Sequence, residues 1–484
     1  MLAAAWRVGD VWAQAAHTAR DALASAIRQR PLPRLPLPVG TRIVGLGHSF
    51  IQRGGYSGRN NGSNGVDYAA RGVLSQIRNL DPRFGIEYFA AGNLPWPGQS
   101  GANSLTGSMQ GIGGDHLLAI WRAPGTINRT SYVLSLAPGI VYLDVGSNDI
   151  ASGVGGPFGS DGSARAVIAA LDRQIGLLTR AGVWVVVQTL AWRDWAPGKP
   201  ADPRYAATLA VNAWIRAQVG RAGVRICDTV AIDGTAARDA AAFSPDGVHP
   251  NALGAARRAA ILLPILQQMV APSVAPIEHP SPLAAVPNNG AHVAGPIAAG
   301  WTASITAGKS TAVAIFDRSA RTATPQQFTI SPAADGTADG MAVHELRLTA
   351  RDLTLPDIKA RTGARSGDWL EIAMPFELDD WAGWRIFDRG GAGPLMLNAE
   401  LFSKGAIIFE ANDLSAYPQP GRSRTTGRLR DLLWLRTNDP QAVLRWSSRP
   451  VVLHFDSRAR GSGTVRIGLP TIRRIADPRK AWGL

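Results

Sequence analysis

The sequence predicts an α/β domain, with a parallel sheet between two helical layers, followed by an all-β sandwich. Three observations predict it. Between residues 41 and 270, short apolar runs alternate with helical patterns, the pattern of a parallel sheet covered on both faces. From residue 301 onward, strand-like runs separated by turn residues replace the helical ones, as in a β-sandwich. Residues 271–300, rich in Pro, Ala and Asn, divide the two textures and read as an interdomain linker. At 484 residues the chain is long enough for two or three domains.

Residues 2–29 look helical, because Trp12, Ala16, Ala19, Leu23 and Ile27 recur at three- and four-residue steps and form one apolar stripe. The stripe is expected to pack on the following domain, with oligomerisation through it as the alternative. Arg7, Asp10, His17, Arg20 and Asp21 interrupt any signal-peptide core. Residues 31–38 carry Pro at nearly every second place and should form a stiff, extended linker, so that 1–40 lies outside the α/β domain. Within that domain, strands are expected at 41–46, 84–90, 139–145, 183–190 and 224–228, and helices at 66–79, 164–180, 203–221 and 251–270. The Gly- and Ser-rich stretch 99–138, with His116 and Trp121, is long for a connection, and an insertion beside the site is expected there. The all-β region, 301–484, shows strand-like runs at 311–316, 327–330, 342–348, 369–377, 383–388, 395–402, 406–410, 451–456 and 463–467.

Composition narrows the function. Apolar residues make up 45% and charged residues 18%, as in a globular protein. The formal net charge is +14, with 45 arginines against 5 lysines. These are scattered rather than gathered into one stripe, so no nucleic-acid partner is expected. A basic surface of this kind still steers acidic polysaccharide or anionic lipid toward itself. The single cysteine, Cys227, excludes an intrachain disulfide and reads as a small buried hydrophobe. No apolar run reaches the length of a membrane span. The compartment is left open.

In open parallel sheets, chemistry collects beyond the carboxyl ends of the strands, and four segments fall at such places. Gly45-Leu46-Gly47-His48-Ser49-Phe50 follows the first strand. A strand-to-helix turn exposes a serine hydroxyl and leaves backbone N–H groups to face an oxyanion, although Gly-x-Ser alone arises by chance in a Gly-rich chain. Asn93-Leu94-Pro95-Trp96-Pro97-Gly98 follows the second strand and offers a glycine N–H. Val145-Gly146-Ser147-Asn148-Asp149 follows the third. The Asn148 amide can donate to a developing oxyanion, and a plain turn is the competing reading. Ser244-Pro245-Asp246-Gly247-Val248-His249-Pro250-Asn251 precedes the last helix. Asp and His three apart let the carboxylate hold one imidazole nitrogen while the other takes a proton.

Together, in the order Ser, Gly, Asn, His, these segments resemble the SGNH (GDSL-like) hydrolase superfamily over residues 41–270, about half the chain. The resemblance implies a flavodoxin-like, three-layer serine esterase domain that needs no cofactor and no metal. It implies Ser49 as nucleophile, His249 as general base and Asp246 as its orienting carboxylate. The oxyanion hole would comprise the N–H groups of Ser49 and Gly98 and the Asn148 side chain. Gly92 competes with Gly98, which fits the Asn-x-x-x-x-Gly spacing better. One departure stands out: His48 occupies the place where the family usually has Asp, which makes it a candidate for lining the substrate site.

Trp96, Trp192 and Trp195 are further substrate-lining candidates, since each lies after a strand expected to end at the site. The all-β region resembles jelly-roll modules that accompany glycan enzymes, with 451–456 and 463–467 as its closing strands. The expected substrate is therefore an acylated carbohydrate, acetyl esters first, or another small ester. A lipase, thioesterase or O-acetyltransferase with the same triad is one alternative. A structural or receptor-binding protein, such as a phage-tail component carrying an SGNH module, is the other.

Overall fold

The structure is a computed structural model that describes residues 29–52, 72–87, 107–111, 116–117, 129–152, 163–191, 202–230, 248–250, 252–273, 284–306, 309–317, 323–333, 343–385, 394–404, 406–435, 437–445 and 451–482. The chain divides into two compact units. The first lies within residues 1–55, 83–250 and 261–273, and the second within 56–82, 251–260 and 274–484. The helix expected at 2–29 falls outside the described residues, except for its last residue.

In the first unit, β1 (Ile43–Gly47), β2 (Met109–Gly111), β3 (Ile140–Asp144), β4 (Trp184–Gln188) and β5 (Val224–Cys227) form one parallel sheet in the order β2-β1-β3-β4-β5. Every residue of β1 and β3 is buried. Strands covered on both faces read as continuous apolar runs rather than alternating ones. The helix Ala164–Arg180 buries Val167, Leu171, Ile175 and Leu178, one stripe at three- and four-residue steps. Ser163 starts it by accepting a hydrogen bond from the Ala166 N–H. Asp202 and Pro203 start the helix Pro203–Arg216 in the same region, and that helix stops five residues short of the expected 221.

One strand is not where the sequence reading puts it. Among the described residues of 84–90, Gly85 makes a single parallel bridge to Arg42. The neighbour of β1 on that side is β2, inside the stretch expected as an insertion. Met109-Gln110-Gly111 is too short, and too flanked by glycine, to show a period.

β1 and β3 pair in register from Ile43↔Ile140 to Gly47↔Asp144. At the carboxyl end the approach is tight, and a Cβ placed on Gly47 would lie 2.3 Å from the Asp144 carbonyl oxygen. Only glycine fits there without moving a strand.

The second unit contains the strands β6 (Ala285–Pro287), β7 (Val293–Ala294), β8 (Pro296–Ala298), β9 (Trp301–Ile305), β10 (Thr311–Phe316), β11 (Gln326–Ser331), β12 (Val343–Ala350) and β13 (Leu353–Thr354). It continues with β14 (Trp369–Asp379), β15 (Leu395–Ser403), β16 (Ala406–Ala416), β17 (Arg424–Trp434), β18 (Val443–Arg445), β19 (Val451–Asp456), β20 (Gly463–Ile467) and β21 (Thr471–Ile475). One seven-stranded sheet runs β17-β14-β20-β11-β10-β7, with β21 also on β14; another runs β13-β18-β15-β19-β12-β9, with β16 on β15. Apart from the parallel β7–β10 pair, the pairings in these two sheets are antiparallel.

Three expectations change here. Residues 285–298, read as linker, carry three short strands, one of which joins the first large sheet. Among the described residues of 383–388, Trp384 makes one bridge to Phe455 instead of a strand. The helix expected at 66–79 within the α/β domain is Val73–Leu80, and it belongs to the second unit. Its Asn79 amide donates to the Ser415 carbonyl at 3.4 Å. Gly427 passes so close that a Cβ would meet the Asn79 carbonyl oxygen at 2.3 Å.

On β14, Glu371 is buried, with its side chain 1% exposed, and accepts from three arginines. Arg428 on β17 and Arg473 on β21 each reach it at 2.8 Å, and Arg430 on β17 forms a still closer pair. Burial alone would raise the pKa of this carboxyl. Arg430, Arg473 and Arg428 outweigh burial and bring it from 4.5 down to about 2. A carboxylate depressed in the folded state stabilises the fold fully above its unfolded value and loses that contribution as pH falls toward the folded value.

Two predictions follow from these contacts. Gly47→Ala should lower unfolding stability by roughly 1–3 kcal/mol, the usual cost of an overpacked core site, measured by urea unfolding. Glu371→Gln should destabilise the protein at neutral pH, and the gap to the parent should close on acidification from pH 4.5 to about 2. A gap of equal size at both ends would show that the carboxylate is not held ionised by its arginines.

Candidate active site

The order β2-β1-β3 means that the chain leaves β1 in opposite lateral directions, toward β2 on one side and β3 on the other. The crevice at such a switch point, beyond the strands' carboxyl ends, is where open parallel sheets place ligands. His48 and Ser49 emerge there from β1, and Val145 to Asn148 emerge beside them from β3. Paired strands lie ~4.8 Å apart, so the two turns are neighbours by construction.

Ser49 opens the short helix Ser49–Gln52 and is partly exposed. Its Oγ lies 2.8 Å from Nε2 of His249, which is also partly exposed, across 200 residues of sequence. The Phe50 ring meets the His249 ring edge-on, with centroids 5.6 Å apart, and this contact limits how the imidazole can turn. A serine hydroxyl at hydrogen-bond distance from an imidazole nitrogen is the arrangement of a nucleophile and its base.

Asn148, the expected oxyanion donor, lies in the first turn of the helix Ser147–Ser152 and is 9% exposed. Gly146 precedes it at φ +110°, a conformation that favours glycine. Its neighbour Asp149 does structural work, accepting from the Leu117 N–H through both carboxylate oxygens, at 3.1 and 3.0 Å. Asp246, Gly98, its rival Gly92, Trp96, Trp192 and Trp195 lie outside the described residues.

His48, a candidate for lining the substrate site, is buried at 1% exposure, which removes it from contact with solvent-borne substrate. Its Nδ1 accepts from the Phe50 N–H at 3.4 Å. A neutral ring then carries its hydrogen on Nε2, which faces Ser147 Oγ at 3.0 Å and Asp144 Oδ1 at 3.8 Å. The residue before Ser49 is thus tied to the residue before Asn148. Where a carboxylate at position 48 would face the buried Asp144, the imidazole supplies a donor instead.

The sequence reading passed over Arg129. It is 3% exposed at the start of the helix Arg129–Ser135, and its guanidinium donates to the Gly47 carbonyl at 2.8 Å and, more closely, to the Gln110 carbonyl. It therefore joins the carboxyl ends of β1 and β2 directly before the Ser49 turn. A lone arginine has no spacing that announces such a role; only the pairing of β1 with β2 brings its two acceptors together.

Residues 46–257 match the GDSL-like Lipase/Acylhydrolase family. Among solved structures, the chain is similar to an acetylxylan esterase from Geobacillus stearothermophilus, at 16% identity over 49% of this chain and 100% of that one, with a TM-score of 0.34. It is also similar to an alpha/beta hydrolase enzyme from the metagenome of Lake Arreo, Spain, at 16% identity over 49% and 100%, with a TM-score of 0.35. No curated protein matches the chain. The Ser49–His249 pair thus lies within the stretch, residues 46–257, that matches the GDSL-like Lipase/Acylhydrolase family, ahead of the β-rich C-terminal region.

Proposed function

We propose that this chain is a serine esterase that removes short acyl groups, acetyl first, from a polysaccharide. The observation that carries the reading is the 2.8 Å approach of Ser49 Oγ to His249 Nε2 at the β1/β3 switch point. Ser49 attacks the ester carbonyl carbon as His249 takes its proton. The tetrahedral oxyanion is held by the Ser49 N–H, the Asn148 amide and the Gly98 N–H. Its collapse expels the alcohol, protonated by His249, and leaves an acyl-Ser49. Water, deprotonated by the same imidazole, then attacks the acyl carbon and releases the acid. Asp246 holds the His249 Nδ1–H so that Nε2 faces the serine. Trp192 and Trp195, which follow β4 in the sequence, and Trp96 are the candidate stacking partners for sugar rings. Support for a polysaccharide substrate comes from these tryptophans and from the large β-rich region beside a hydrolase domain.

The test is a series of nitrophenyl esters of increasing acyl length, run beside acetylated polysaccharides scored for released acetate. Rates should fall with chain length, and Ser49→Ala or His249→Ala should lose on the order of 10⁴- to 10⁶-fold in kcat. An undiminished rate in Ser49→Ala would sink the reading. The His48 contacts give a second expectation: His48→Asp should lower the unfolding midpoint more than His48→Asn, because it sets two carboxylates against each other in a buried site. Thermal unfolding of the two variants side by side checks it, and equal midpoints would count against the contact.

A further inference from the structure

The outer surface of one sheet in the second unit carries a charge arrangement that the esterase reading does not use. Alternation along β14 puts Glu371, Ala373, Pro375, Glu377 and Asp379 on one face, a row ~26 Å long. The register sets arginines on the flanking strands beside that row: Arg473 opposite Glu371, Arg430 opposite Ala373, Arg428 opposite Pro375, Arg466 opposite Glu377 and Arg424 opposite Asp379. Glu371 is buried beneath Arg428, Arg430 and Arg473, whose side chains remain 30%, 24% and 43% exposed. Further along, Glu377 is paired at 3.3 Å with both Arg424 and Arg466, which are 54% and 35% exposed. The carboxylates pin the guanidinium groups at fixed spacing, and between the two clusters Ala373 and Pro375 are buried.

We propose that this face binds an acidic polysaccharide, with the guanidinium groups receiving its carboxylates. A planar guanidinium matches a carboxylate in geometry as well as in charge. The excess is modest, five arginines against three carboxylates. Glu377, with its side chain 24% exposed, also offers an acceptor to sugar hydroxyls. Such a mixed face suits a polymer with one charge per sugar and many hydroxyls. A DNA duplex, with a charge every ~1.7 Å of its axis, calls for a denser and uncompensated basic stripe. The proposal does not depend on the Ser49 chemistry.

The test uses the full chain in affinity electrophoresis through gels holding polygalacturonate, its fully methyl-esterified form, or duplex DNA. Polygalacturonate should retard the protein, and the other two should not. The double variant Arg428→Gln, Arg473→Gln leaves Arg430 on Glu371 and should weaken retardation by about tenfold or more. Equal retardation by the esterified polymer or by DNA overturns the proposal, as does unchanged retardation of the folded double variant. Arginine footprinting with phenylglyoxal on the unaltered chain gives a second measurement that no folding defect can blur. Polygalacturonate should slow modification of Arg424, Arg466 and Arg473 but not of Arg351, which is 79% exposed off this face. Equal rates with and without the polymer overturn it as well.

Discussion

The candidate site rests on how closely β1 and β3 approach at their carboxyl ends. Gly47 lies so near the Asp144 carbonyl that no side chain fits between them. Everything that follows these strands is therefore brought together within a few ångströms. The Ser49 turn leaves Gly47, and the turn bearing Asn148 leaves Asp144. Two side chains then secure the meeting point from opposite sides. His48 reaches across to Ser147, and Arg129 holds the Gly47 carbonyl against that of Gln110 on β2. The serine hydroxyl is positioned by backbone contacts that its own side chain does not make.

Legibility in the sequence followed burial. β1, β3 and β4 are mostly apolar, nearly wholly buried runs, and each appears in the sequence as a hydrophobic stretch, whereas the edge strand β5 is short, half-buried and contains Arg225. β2 is three residues among glycines, and nothing in its composition separates it from a loop. β17 was hidden for another reason. Its outward positions carry Arg424, Arg428 and Arg430, and a strand whose outward face is half arginine reads as solvated chain until its partners are known. The Gly-rich and Pro-rich texture of 285–298 concealed short strands in the same way.

For the site, the serine and the histidine were readable because short motifs at strand ends carry them. The surrounding contacts were not. The substrate-facing role considered for His48 came from its position next to Ser49, and burial assigns it to Ser147 and Asp144 instead. That outcome depends on which strand lies beside β1, which no local pattern encodes. Arg129 is a similar case, since both of its acceptors are main-chain carbonyls and any residue type supplies those.

The chain's one cysteine has a practical consequence. Cys227 ends β5, the edge strand of the parallel sheet, and is wholly shielded from solvent. A thiol reagent reaches that sulfur only when the edge of the sheet opens. Its rate of consumption thus reports breathing of the sheet that supports the serine turn, read from a single atom and without any introduced label.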